Sequence, residues 1–416
     1  MIHDPASHVA ERYERLAARP EAFIALRPQE EVVAELRAVD PSLPLAGLLF
    51  AVKGNIDVAG LDTTAACPAF AYRPAEDATT VARLRAAGAV VLGSTNLDQF
   101  ATGLVGTRSP YGAVRHATDA ARISGGSSSG SAVAVALGAA DFALGTDTAG
   151  SGRVPAAFHG LVGLKPTKGW VSAAGVVPAC RSLDVVTVMA ADPAIARRAL
   201  DAMAGADSRD PLSRSGVAAP FAATPRIGVP RPGQLGELAP GWAEAFDVEV
   251  TRWREAGASV VEVDIEVFLE TARMLYDGAF VAERYAAVGE FVDAHPDEVD
   301  PTVGGIISRA RELPAWKLFQ DQERLDRARV ASDRVFEGID ALLLPTTTEH
   351  PTLDAVAADP IGVNSRLGRF TNFANLLDLA AVAYSAGVVD DLPFGVQLIG
   401  PAFSDHQLAH LVWSRP

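Results

Sequence analysis

Helix-patterned and strand-patterned stretches alternate along this chain, and that alternation constrains its fold more than any other feature. Leu48–Val52 is a short apolar run that reads as a buried strand ending at Lys53-Gly54. Thr80–Ala87 has helical spacing, Gly88 supplies a stop, and Ala89–Leu92 reads as the next strand. The same order recurs three times. Ser131–Leu137 precedes Phe142–Leu144, Trp242–Glu255 precedes Ser259–Val263, and Glu323–Phe336 precedes Ala341–Leu344. Repeated alternation predicts an α/β fold in which helices cover both faces of a sheet. Residues 1–40 read as short amphipathic helices with Val33 and Leu36 among charges. Residues 205–225, rich in Ser, Pro, Ala and Asp, read as a long surface connection within one unit.

Charge and cysteine usage exclude several classes. The formal net charge of −15 argues against nucleic acid or an anionic membrane as a partner. An anionic substrate would therefore need a local cationic clamp. The two cysteines, Cys67 and Cys180, lack any His or Cys at ligand spacing, so neither a disulfide framework nor a metal site is expected. They suit burial in a protein of the reducing cytoplasm. The N-terminal stretch has no apolar secretory core, and Asp141 interrupts the longest apolar candidate for a membrane span.

Three segments carry chemistry. Ile123-Ser-Gly-Gly-Ser-Ser-Ser-Gly-Ser131 runs straight into a small-residue helix, which is unusual for a flexible linker. A phosphate loop would carry a lysine that this segment lacks. Gly126-Ser-Ser-Ser-Gly130 also fits a nucleophile elbow with Ser128 at its centre, as in a Ser–His–Asp hydrolase, but the polar stretch before it makes a poor strand. The second segment, Gly145-Thr-Asp-Thr-Ala-Gly-Ser-Gly-Arg153, can turn several backbone N–H groups toward one point, as an acyl-transfer site requires. A tight turn capped by Asp147 is its plainer reading. The third is Lys53, an ammonium at the end of an apolar run. It either snorkels to water or, if desolvated, becomes a neutral base.

Together these segments resemble the amidase signature family, whose fold is a central mixed, twisted β-sheet covered by helices on both faces. The resemblance covers nearly the whole chain, through Pro393-Phe-Gly-Val-Gln-Leu-Ile-Gly400. It implies a Ser–cis-Ser–Lys triad without metal or cofactor. Lys53 would be the base, Ser127 the relay with a cis peptide, and Ser151 the nucleophile. Ser127 and Ser151 stand 24 positions apart, the separation the family keeps. The amides of Thr148, Ala149, Gly150 and Ser151 would form the oxyanion hole. Gly54 stands where the family often carries Asp.

Within the family the chain is similar to the allophanate hydrolase subgroup. Asn96–Gly112, Thr63–Tyr72, Val177–Asp184 and Asn364–Gly368 carry that similarity. The subgroup's carboxylate clamp corresponds to Tyr276 and Arg284, eight positions apart and so able to share one helix face. A surface pairing of Arg284 with Glu283 is the alternative. Gly103 is a candidate for a backbone contact to substrate or for a turn. Arg153 either orients substrate or supports its loop. Asp147 is expected to order that loop, and His159, where the subgroup has Asn, is expected to be structural. The implied reaction releases ammonia and N-carboxycarbamate from allophanate, with malonamate or another small amide as the rival substrate. The resemblance also implies one amidase domain over residues 1–416, a smaller substrate-capping part over 205–300, and a homodimer; the C-terminal domain that the subgroup commonly carries is expected to be absent, a departure from the subgroup.

Overall fold

Leu49–Lys53 is buried along its whole length, as expected of a strand covered on both faces. Its alternate residues enter different cores: Phe50 and Val52 join Leu144 and Phe142, whereas Leu49 and Ala51 join Ala143 and Ala132. Phe50 stacks on Phe142 with ring centroids 5.1 Å apart. The computed structural model describes residues 4–414.

Eleven strands form one sheet. They are β1 (Phe23–Leu26), β2 (Leu49–Lys53), β3 (Val90–Thr95), β4 (Phe142–Asp147), β5 (Val162–Lys165), β6 (Val185–Ala190), β7 (Arg226–Pro230), β8 (Ser259–Val263), β9 (Ala341–Pro345), β10 (Ala380–Val389) and β11 (Leu392–Gly400). Their order is β1-β3-β2-β4-β6-β5-β10-β11-β9-β7-β8. β2 lies parallel to β3 and β4, β7 lies parallel to β8 and β9, and the remaining pairs are antiparallel. The sheet is therefore mixed, as anticipated. Helices Thr79–Ala86 and Pro193–Met203 pack on one face through Val81, Leu84, Ala199 and Leu200. Helix Ser129–Ala136 covers the other through Ala132 and Val133.

The expected elements are present with small shifts at their ends, except that the helix expected over Glu323–Phe336 starts about two turns earlier and runs Ala315–Gly338. The N-terminal forty residues depart from expectation. Helices Pro5–Leu16 and Gln29–Ala38 form, but β1 lies between them as an edge strand pairing with β3. Residues 1–3 of that stretch lie outside the described residues. Phe23–Leu26 buries only its first residue fully, so it offers no strong apolar run to read. Among the described residues no helix or strand occurs between Met203 and Arg226, in keeping with a surface connection. Residues 205–300 are not separate from the sheet, because β7 and β8 form its edge. Both cysteines are free and buried. Among the described residues no helix is long and apolar enough to cross a membrane.

The parallel trio β3-β2-β4 brings functional ends together. Lys53 closes β2, and Thr146 and Asp147 close β4 alongside it. Carboxyl ends of parallel strands are where open α/β sheets place ligands. The Gly/Ser loop reaches this edge because Gly130 lets the following helix press against the chain after β3. Its N–H donates to the Asn96 carbonyl at 3.0 Å. A Cβ there would run into the Ala22 carbonyl and come 2.8 Å from the Asn96 nitrogen. Gly130→Ala is thus expected to destabilise the chain by about 1–3 kcal/mol through overpacking, measured by chemical denaturation.

Candidate active site

Lys53 is fully buried. Its Nζ lies 2.7 Å from the Ser127 Oγ and 2.7 Å from the Thr146 Oγ1. Burial pulls its pKa down to about 7, against the raising influence of Asp98, Asp184 and Asp147. The snorkelling alternative is excluded, since the whole side chain is sealed from the surface. The Gly126–Ser127 peptide is cis. The Ser127 carbonyl accepts from the Asp98 N–H at 3.1 Å, and the Gly126 N–H donates to the Leu104 carbonyl at 2.9 Å. Both tie the Gly/Ser loop to the loop after β3.

Ser151 lies against the same loop. The Ser128 N–H donates to the Ser151 carbonyl at 3.3 Å. The Ser151 hydroxyl donates to the Gly103 carbonyl at 3.4 Å rather than to Ser127. Asp98 organises the Gly103 loop by accepting from the N–H groups of Val105, Gly106 and Arg108 at 3.0–3.1 Å. Ser128 faces away: its Oγ donates to the Thr146 carbonyl at 3.1 Å and accepts from the Thr146 N–H at 3.2 Å. Among the described residues no histidine bonds Ser128 or Ser151, so the Ser–His–Asp alternative has no base. His159 bonds the Pro155 carbonyl and the Ala117 N–H and stacks on His116, a structural setting.

Four amides were expected to face one point. The Gly150 N–H is instead committed to Asp147 Oδ1 at 2.8 Å. The N–H groups of Thr148, Ala149 and Ser151 meet no protein acceptor among the described residues. The Thr148 side chain is anchored separately on Asp184, which also accepts from the Ala179 N–H at 2.8 Å.

Arg284 lies on helix Ala282–Ala294 and Tyr276 on helix Glu266–Asp277. They are therefore on consecutive helices rather than one, because a short turn at Ala279–Val281 intervenes. The pair still meets. Arg284 is 1% exposed; its Nη2 donates to the Tyr276 hydroxyl at 3.3 Å and its Nη1 to the Thr102 Oγ1 at 2.9 Å. Its Nε is buried without a partner. Glu283 turns instead to Ser182, so no surface pair forms with Arg284.

Comparisons with known proteins decide the family. A model described as Amidase matches residues 9–409. The chain belongs to the amidase family. It is 46% identical over 407 residues to the urea amidolyase of Saccharomyces cerevisiae, covering 94% of this chain and 22% of that one. The chain thus spans about a fifth of the length of the curated urea amidolyases it matches. It is 36% identical to a glutamyl-tRNA(Gln) amidotransferase subunit of Symbiobacterium thermophilum, across 98% of this chain and 87% of that one. The structure of Kluyveromyces lactis allophanate hydrolase superposes with a TM-score of 0.91 at 43% identity, covering 98% of this chain and 69% of that chain. The amidase signature fold expected from the motifs is therefore present.

In this amidase-family site, Arg153 supports the loop. Its Nε and Nη2 bond both Asp147 oxygens at 2.9 and 3.0 Å, and its Nη1 reaches Gln397 at 3.0 Å. With every guanidinium nitrogen engaged, none is left for substrate. Burial alone would push the Asp147 carboxyl up, but Arg153 and Lys165 outweigh it and hold it below its usual value. Sequence reading missed Thr146, Thr102 and Asn375, which bonds the Asp147 and Leu183 carbonyls at 2.8 and 3.0 Å. Thr146 lay within Gly145–Arg153 and Thr102 within Asn96–Gly112, segments already singled out, whereas Asn375 lay in neither. Arg153→Ala would strand a buried carboxylate, with an expected loss of about 3–5 kcal/mol in denaturant unfolding.

Proposed function

We propose that this chain hydrolyses the terminal amide of allophanate, releasing ammonia and N-carboxycarbamate through an acyl-enzyme on Ser151. The observation that carries this reading is Arg284. It is a buried cation with no carboxylate within ion-pair distance among the described residues. A buried unpaired charge is costly, and a substrate carboxylate would relieve that cost through two parallel hydrogen bonds. The guanidinium bonds Thr102, the neighbour of Gly103, whose carbonyl holds the Ser151 hydroxyl. A small anionic amide held there has its carbonyl near that hydroxyl. The kinship with urea amidolyase and allophanate hydrolase supports the same substrate.

The chemistry follows from the site's protons. Burial draws the pKa of the Lys53 amine to about 7, so a neutral amine is available near neutral pH. It takes the Ser127 proton, and Ser127 takes that of Ser151 once the latter hydroxyl leaves the Gly103 carbonyl and turns toward it. The Ser151 oxygen then attacks the amide carbon. The amides of Thr148, Ala149 and Ser151 hold the oxyanion, with Gly150 serving to order their loop through Asp147. Collapse breaks the C–N bond as the relayed proton reaches the leaving nitrogen, giving ammonia. Water repeats the relay and frees Ser151. Thr146 holds the amine from its other side. Residues 205–300 contribute Tyr276 and Arg284 as the part that caps the site, and Gly103 presents its backbone to substrate.

A neutral amine as base has a definite pH signature. Below about pH 7 Lys53 is an ammonium and cannot accept a proton, so kcat/KM falls about tenfold per pH unit on the acid side and levels off above. A pH profile without an acid limb near 7 would remove Lys53 as base.

Ammonia release across allophanate, malonamate and neutral amides tests the substrate. Ser151→Ala is expected to lower kcat by about 10⁴-fold or more, whereas Ser128→Ala keeps acyl-enzyme formation. Arg284→Ala is expected to cut kcat/KM for allophanate by about 10²-fold, the cost of truncating one partner of a buried charged contact. Allophanate turnover indifferent to Arg284→Ala would reject the clamp.

A further inference from the structure

The loop of residues 98–108 follows β3 and is closed at its base by Arg108. The Arg108 N–H donates to Asp98 Oδ1 at 3.0 Å, and the Gln99 N–H donates to the Arg108 carbonyl at 2.8 Å. Between these ends the backbone takes an unfavourable path. Phe100 and Ala101 have φ of 50° and 51°. Residues with a Cβ enter that left-handed region at a cost, and it persists only where surrounding contacts over-determine it. Thr102 and Gly103 come next, and both serve the site. The Thr102 hydroxyl accepts from Arg284, and the Gly103 carbonyl accepts from the Ser151 hydroxyl.

Buried side chains grip residues 102–104 from both ends. Arg108 is 3% exposed. Its Nη1 donates to the Thr102 carbonyl at 2.9 Å and its Nη2 to the Pro360 carbonyl at 2.7 Å. Its Nε is sealed without a partner. At the other end the Leu104 N–H donates to Asn364 Oδ1 at 2.8 Å. Asn364 is buried on helix Gly362–Leu367, and Pro360 lies just before that helix. Neighbouring carboxylates are engaged elsewhere. Asp98 takes backbone N–H groups, and Asp359 takes the Gly362 N–H and pairs with Arg366. Among the described residues no carboxylate lies within 4.0 Å of the Arg108 guanidinium.

A buried guanidinium that meets no carboxylate is costly to keep. What Arg108 supplies is geometry, a planar fork that meets carbonyls of two separate segments at once, where lysine offers a single point of charge. Arg108 and Arg284 hold the same residue, one by its carbonyl and the other by its hydroxyl. We propose that Arg108, seconded by Asn364, is a positioning residue that sets Arg284 at its working distance from Ser151. The inference rests on the anionic-amide reading above. Arg108 bonds Thr102 rather than Arg284 or Ser151, so it acts through the loop. Releasing the Thr102 carbonyl lets the Thr102 hydroxyl and the Gly103 carbonyl move together. The register between the cation that holds the carboxylate and the hydroxyl that attacks is then lost. Small misplacements of this kind are expensive, because the reacting atoms must be held within a narrow range of geometry. A neutral amide makes no use of the Arg284 charge and loses less.

The test is a double-substitution cycle. The kcat/KM values for malonamate and for neutral malonamide are measured in the full chain, in Arg108→Lys, in Arg284→Ala and in the two combined, with circular dichroism confirming that each variant is folded. Arg108→Lys is expected to lower the malonamate-to-malonamide ratio about tenfold by itself, and to change it by less than about twofold in the Arg284→Ala background, where no clamp remains to be positioned. Asn364→Ala loosens the same residues from their other end without removing a charge, and is expected to show the same dependence on Arg284. An unchanged ratio in folded Arg108→Lys, or a loss of equal size with and without Arg284→Ala, overturns the positioning role, because support of the fold alone is indifferent to the clamp. Should Arg108→Lys not fold, the Asn364→Ala cycle decides in the same way. A wild-type chain with no preference for malonamate over malonamide sinks the anionic-amide reading and this inference with it. A preference that is lost in Arg284→Ala but kept in Arg108→Lys and in Asn364→Ala rejects the positioning role alone.

Discussion

The structure turns on one desolvated amine at the carboxyl end of β2. Moving an ammonium from water into a protein interior is costly, and losing a proton is the cheaper outcome. Lys53 sits at the end of a strand buried on both faces, with hydroxyls of Ser127 and Thr146 as its near partners. Among the described residues no carboxylate touches it; Asp98, Asp184 and Asp147 favour the ammonium from a distance, but burial outweighs them and draws its pKa to about 7. The sheet supplies that environment. β3 and β4 flank β2 in parallel, and helices seal both faces.

The loop carrying Ser151 poses the opposite problem, because it is built on a charge that stays charged. Asp147 is buried, and its carboxylate is satisfied by Arg153 and by the Gly150 and Gly152 amides. A buried ion pair seldom adds much net stability, yet it fixes geometry when every donor and acceptor is used. Here each guanidinium nitrogen of Arg153 has a defined acceptor on Asp147, Gln397, Thr371 or Asn375. The loop is held from below, which leaves three of its amides unclaimed. Neighbouring aspartates therefore do different work. Asp98 and Asp147 shape loops, and Asp184 anchors Thr148.

Charge is arranged by depth as well. The chain is acidic as a whole, yet two guanidinium groups near helices Glu266–Asp277 and Ala282–Ala294 keep a buried Nε without a partner, on Arg284 and on Arg369. Tyr276 lines a cavity together with Arg369 and bonds Arg284 with its hydroxyl. Cations of this kind resist substitution by lysine, whose single point of charge cannot meet a planar carboxylate at two places.

Much of this was legible in local pattern. Apolar runs marked β2 and β4, helical spacing marked the helices around them, and the Gly/Ser segments with Lys53 stood out because small residues and a cation at those places have few bland uses. Other elements left weaker traces. β1 is four residues at a sheet edge with one of them fully buried, so neither alternation nor a continuous run announces it. Thr146 and Thr102 are ordinary threonines until the fold sets an amine or a guanidinium beside them. The helix break between Tyr276 and Arg284, the engagement of the Gly150 amide and the bonds of Arg108 and Asn364 to the Gly103 loop are likewise products of long-range packing. Residue order alone determined which side chains could do chemistry and which segments would be strand or helix, since periodicity and side-chain character are local properties. The tertiary structure decided which of those groups lost water and which found partners, because desolvation and hydrogen bonding depend on what distant parts of the chain bring alongside.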